Sequence, residues 1–254
     1  MATAIKQQSK VSEAEWAARQ QLAACYRVFD MLGWSELIYN HITLRVPGEE
    51  NAFLINPYGL HFSEVTASNL VKIDIEGNKL CDSPYPVNLA GFTQHSVFHR
   101  DLPDAHCIAH THTTAGMAVS AIEGGLQPLN FYSCFLMGHI AYHDFEGITV
   151  RSEEGVRLVE NLGDKRVMFL KNHGILVMGQ TVPEAFMKHW LLQRACEIQL
   201  DILKTGVKPV VVPPEVVAVH QRDMSKVALP GGFGAPDFAA MVRLADRIDK
   251  GWRE

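Results

Sequence analysis

Apolar positions recur at helical spacing after Ser12. Trp16, Leu22, Tyr26 and Phe29 mark one face, and Gly33 stops the run. Ser12 and Glu15 predict a capping box at its start. Short alternating or apolar runs follow at 42–46, 52–55 and 71–75 and predict strands, separated by turns such as Asn56-Pro57-Tyr58-Gly59 and Glu76-Gly77-Asn78. The spacing then predicts a helix over 88–100, a strand over 106–112, a small-residue helix over 115–121, a strand over 139–142 and a helix over 153–162. Two strands, 166–170 and 175–178, flank Lys171-Asn172-His173-Gly174. Thr181 and Glu184 predict a second capping box that opens a long helix to about Lys204. A Pro- and Gly-rich remainder ends in a helix over 237–252.

Helices intermixed with short strands predict one layered α/β domain. The boundaries read as a leader over 1–11, a domain over 12–206 and a C-terminal extension over 207–254. No internal repeat interrupts this order.

Composition narrows the class. The 254 residues are 47% hydrophobic and 20% charged, an ordinary globular balance. The net charge is −5 with Lys and Arg scattered, so no basic stripe invites nucleic acid. No apolar run approaches the ~18 residues of a membrane span, and residues 1–10 lack a signal-peptide core. Five cysteines (Cys25, Cys81, Cys107, Cys134, Cys196) show no CxxC and no framework spacing, as for reduced thiols in a cytoplasmic protein.

Histidines carry the candidate chemistry. In a strand, His110 and His112 share a face, so two imidazoles can converge on one ion. His173 stands at the mouth of an apolar strand, before a flexible glycine. Three nitrogens with an open fourth position form the catalytic pattern for one divalent ion; neutral imidazole suits Zn, Mn, Fe, Co or Ni alike, with Zn the default where a Lewis acid without redox chemistry is needed.

His110-Thr-His-Thr-Thr-Ala-Gly-Met-Ala-Val-Ser-Ala121, followed about sixty residues later by Asn172-His173-Gly174, resembles the class II aldolase/adducin family. Ile55-Asn-Pro-Tyr-Gly-Leu60, Asn69-Leu-Val-Lys-Ile-Asp74 and Ala141-Tyr-His-Asp144 agree with it, and the chain is most similar to the adducin-like bacterial branch. The resemblance implies a three-layer α/β/α domain around a mainly antiparallel sheet, a metal on His110, His112 and His173, and a homo-oligomer, usually a tetramer. It implies a small-molecule substrate and carbon–carbon lyase chemistry of aldolase or decarboxylase type.

One position departs from the family pattern. Family aldolases carry a glutamate about nineteen residues before the first metal histidine, where this chain has Gly91, which cannot move a proton. His95 and Tyr142 are candidates to replace it, with Glu64 and His143 behind them. Decarboxylation, which needs no such base, is a second reading. A non-catalytic adducin-like scaffold is a third, and an iron oxygenase on the same histidines a fourth. Asn40, within Tyr39-Asn40-His41, falls where relatives grip a phosphate or carboxylate. Asn172 is a second candidate substrate contact or an orienting partner of His173.

Overall fold

The computed structural model describes residues 11–148, 151–227 and 230–254. The leader expected at 1–11 therefore lies, except for Val11, outside the described residues. The first helix, α1 (Glu13–Met31), starts at Ser12, whose hydroxyl accepts from Glu15 N at 3.1 Å. Only half of the expected capping box forms. The Glu15 carboxylate turns inward instead, to Arg19 Nε at 2.8 Å and Lys72 Nζ at 2.9 Å. Arg19 is fully buried and donates onward to the Leu70 carbonyl at 2.8 Å, so a buried charge is matched rather than left alone.

Among the described residues seven strands follow: β1 (His41–Arg45), β2 (Phe53–Ile55), β3 (Val71–Ile73), β4 (Cys107–Thr111), β5 (Ile140–His143), β6 (Val167–Leu170) and β7 (Gly174–Gly179). They form one sheet in the order β3-β2-β1-β4-β7-β6-β5. Every pairing is antiparallel except β5 with β6. Helix α5 (Ser152–Leu162) lies between those two in sequence, and a parallel pair needs such a crossover. The sheet is thus mixed, and mainly antiparallel as expected.

Alternation along β4 sorts its side chains onto two faces. Cys107 and Ala109 join the core built with α1 and the long helix α6 (Val182–Lys204). Ile108 joins a second core beneath α5 and α2 (Leu89–Asp101). Helices therefore cover both faces, giving the three-layer α/β/α arrangement. The helices α3 (Thr114–Ser120) and α4 (Phe131–Leu136) pack against α6 on the first face.

The C-terminal region holds more structure than its Pro and Gly content suggests. Helix α7 (Pro214–Met224) was not expected; it begins with Pro at its first position, where the missing N–H costs nothing. Helix α8 (Ala235–Ile248) replaces the single helix expected over 237–252, and a 3-10 turn, Gly251–Arg253, completes it. Phe238, Ala245 and Trp252 are buried in the core beside α1 and α6. Helix α4 was likewise missed: six residues are too short for periodicity, and its signal is the Asn130 cap, which accepts from Ser133 N at 2.9 Å. Among the described residues no helix is long and apolar enough to cross a membrane.

Candidate metal centre

Strand β4 ends at Thr111, and the chain carries His112 just past the sheet while His110 stays inside it. The β6–β7 turn brings His173 to the same place. Asn172 makes that turn with φ +57°, a left-handed conformation that asparagine tolerates. Gly174 is required by crowding: a Cβ there would lie 2.5 Å from the Thr111 carbonyl oxygen and within 3.4 Å of the His110 and His112 rings.

The result is a cluster in which one ring nitrogen from each of His110, His112 and His173 lies within 4.8 Å of the others. The His110 Nδ1–H donates to the Ile175 carbonyl at 2.9 Å, which leaves the lone pair on Nε2. That Nε2 lies 2.8 Å from His112 Nε2. A carbonyl fixing one imidazole nitrogen so that the other faces a site is the usual support of a metal-ligating histidine. Burial lowers the His173 pKa to about 4, further depressed by His112. The same cause holds His110 well below its ordinary value and lowers His112, where Glu36 partly opposes it. All three rings are therefore neutral near pH 7, as divalent cations require.

The cluster opens into a cavity of about 560 Å³ whose walls include His41, Tyr58, Gly91, Phe145 and Asn172. That volume suits a small molecule. A cleft of about 630 Å³ between α1 and the β1–β2 turn is larger, but its wall gathers no set of converging ligands among the described residues.

The other sequence candidates separate. Asn40 is buried; its Nδ2 donates to the Trp34 carbonyl at 2.8 Å and its Oδ1 accepts from His112 N at 3.0 Å. With both ends of its amide engaged, it braces the backbone of a cluster histidine rather than facing the cavity. Asn172 does line the cavity. Tyr142 faces elsewhere: its hydroxyl accepts from Leu126 N at 3.1 Å, and its ring stacks on Phe169 in a neighbouring hollow. His143 is buried near Glu146 and Glu154, with Nδ1 accepting from Asn161 at 2.9 Å. Glu64 closes a local turn by accepting from His61 N at 2.8 Å. His95 is fully buried behind the cavity wall, bonded through Nδ1 to Thr43 at 2.8 Å.

The residue that sequence reasoning passed over is His41. It pairs in register with His110 across β1 and β4, and the two rings lie 5.2 Å apart. Tyr26 of α1 braces this edge, its hydroxyl accepting from Ile42 N at 2.8 Å and donating to the Ile42 carbonyl. Burial pushes the His41 pKa down to about 3, with His112 and His173 adding to the effect. The sequence signal was its place beside Asn40, but strand register alone shows what it faces.

Residues 20–200 match the Class II Aldolase and Adducin N-terminal domain. An aldolase II superfamily protein from Pseudomonas syringae has the same structure at a TM-score of 0.93, with 40% identity over 97% of this chain and 99% of that one. An L-fuculose 1-phosphate aldolase from Glaciozyma antarctica superposes at 0.82, with 25% identity over 95% of this chain and 93% of its own. Alpha-adducin of Rattus norvegicus is 42% identical over 93% of this chain, which spans 34% of the length of that protein. By sequence match and by shape alike, the chain belongs to the class II aldolase/adducin family.

Proposed function

We propose that this chain is a divalent-metal-dependent carbon–carbon lyase acting on a small hydroxy- or keto-acid or a sugar-phosphate-like substrate, by aldol cleavage or decarboxylation. The observation that carries this reading is the neutral three-histidine cluster with His110 locked by Ile175, opening into a cavity of about 560 Å³. His110, His112 and His173 would hold the ion, with zinc first among candidates because the chemistry needs no redox change. When bound, the ion supplies Lewis acidity, stabilising negative charge that develops on substrate oxygen. The chain's own contribution is to fix the His110 tautomer through Ile175, to brace the His112 backbone through Asn40, and to line the cavity with Phe145 and Tyr58. The structural likeness to an L-fuculose 1-phosphate aldolase supports the substrate class. We place the protein in the cytoplasm as a homo-oligomer, a tetramer by family likeness. Exposed Phe145 and Ile148 beside the cavity are consistent with that assembly.

A second reading, a non-catalytic binding domain, is favoured by the identity with alpha-adducin and by glycine at position 91. One experiment separates the two. Metal content by mass spectrometry should give one equivalent per chain, lost in His110→Ala and in His173→Ala. Full metal retention in either variant overturns the site. Bound metal without α-proton exchange, cleavage or decarboxylation across a panel of hydroxy- and keto-acids and their phosphates, followed by NMR, favours the binding-domain reading.

A further inference from the structure

Position 91 is open because the imidazole of His41 fills the space beside it. A Cβ on Gly91 would lie 2.4 Å from His41 Cδ2 and 2.5 Å from its Nε2. The Cδ2–Nε2 edge of that ring therefore faces the first turn of α2, and Nδ1 lies on the far side of the ring. His41 Nδ1 is buried without a hydrogen-bond partner.

Behind His41 runs a row of buried hydrogen bonds whose directions can be worked out in order. The Ala105 carbonyl only accepts, so His99 Nδ1 donates to it, at 2.8 Å. Neutral His99 then has a lone pair on Nε2, which accepts the Thr43 hydroxyl proton at 2.7 Å. Thr43 has one such proton, so its oxygen must accept from His95 Nδ1–H, at 2.8 Å. This leaves His95 with an unprotonated Nε2, which is fully buried and has no partner. The His95 ring meets that of His41 edge-on, centroids 4.4 Å apart.

His95 Nε2 and His41 Nδ1 are thus the two unpaired nitrogens of the row, on rings in contact. In a dry interior, a lone pair beside a lone pair is repulsive and an N–H beside a lone pair is attractive. An Nδ1 proton on His41 would set an N–H rather than a second lone pair against the His95 ring, and would leave the His41 lone pair on Nε2, at the edge toward Gly91 and the cavity.

We propose that His41 is a substrate-contacting residue whose Nε2 accepts a hydrogen bond from a substrate hydroxyl, and that Thr43, His95 and His99 are positioning residues that fix its tautomer. The substrate class rests on the function proposed above; the tautomer does not. His41 thereby supplies from β1 a polar group at the place where a side chain on α2 at position 91 would otherwise project.

Two measurements test this. Long-range ¹H–¹⁵N spectra of zinc-free, histidine-labelled protein report each tautomer directly. We expect His41 and His95 with the proton on Nδ1, and Thr43→Val, which keeps the shape but removes the hydroxyl, to give mixed tautomers at both. His110 should keep its Nδ1 proton in that variant, since Ile175 still holds it, and this excludes a general loss of fold. The second measurement titrates glycolate into zinc-loaded protein. His41→Phe should weaken binding about tenfold, the upper range for one neutral hydrogen bond, with zinc content unchanged, and His41→Gln should recover part of the loss. A His41 proton on Nε2 in the wild type, or unchanged glycolate affinity in His41→Phe, overturns the inference. A wild-type protein that binds no zinc refutes the proposed function alone, and the tautomer of His41 then decides this inference by itself.

Discussion

Replacing Gly91 with alanine adds one methyl group to the cavity wall, and the structure sets the size of the response. Gly91 lies in the first turn of α2, where its N–H donates to the Asn88 cap at 3.1 Å. It has no left-handed backbone angle that alanine would resist. On helix propensity alone, Gly→Ala should stabilise by up to about 1 kcal/mol. The added Cβ would meet the His41 ring at 2.4 Å and Asn88 Nδ2 at 3.0 Å. His41 is 3% exposed, with His95 4.4 Å behind it and His110 5.2 Å to the side, so the ring has little room to retreat. Overpacking of this kind costs about 1–3 kcal/mol, and a contact this short belongs in the upper half of that range. The net expectation is a loss of about 1–2 kcal/mol. In urea unfolding, at a slope of about 3 kcal/mol/M, that lowers the midpoint by about 0.3–0.7 M. The companion measurement is a double-mutant cycle with His41→Ala. Removing the ring makes room for the methyl, so Gly91→Ala should be neutral or stabilising in that background, giving a coupling above 1 kcal/mol. A Gly91→Ala protein as stable as the wild type, with no coupling to His41, would refute the claim that His41 dictates glycine at 91.

Acid stability follows from the buried histidines. Burial lowers the pKa of His99 and of His189 to about 3, whereas both are near 6.5 in the unfolded chain. Between those values the unfolded state binds more protons, so the stability these groups allow is fully present above pH 6.5 and falls as pH drops. Lowering pH from 7.5 to 5 should cost about 2 kcal/mol for each ring. Equal urea midpoints at the two values would contradict this, and His189→Gln should flatten the slope. Gly174→Ala should displace the Thr111 carbonyl, with which its Cβ would collide, and reduce bound zinc well below one equivalent. Unchanged zinc content would show that the close approach at Gly174 is dispensable.

Much of the centre was legible in the sequence because it is local. His110 and His112 are two apart on a strand, and His173 follows a run of apolar residues into a turn; both patterns depend on chain geometry alone. The family likeness joined them into one site across about sixty residues. Helix α1 was equally readable from its Ser12 cap and apolar face. Periodicity failed at α4, which is too short for a repeating face, and at α7, which was hidden behind the prolines that precede it. The inward turn of Glu15, toward Arg19 and Lys72, was also hidden, because Lys72 comes from a strand far along the chain.

Which histidine belongs to the cavity was a question of pairing. Tyr142 and His95 were reasonable as candidates by sequence position, yet β5 turns Tyr142 toward Leu126 and the row behind Thr43 engages His95. Asn40, chosen as a substrate contact, is occupied in bracing His112. His41 enters the site only because β1 runs antiparallel to β4 in the register that sets it opposite His110. A sequence determines the character of each segment through spacing and side-chain chemistry. The meeting of β1, β4 and the first turn of α2 depends on long-range packing, and that meeting alone gives Gly91 its reason and His41 its place.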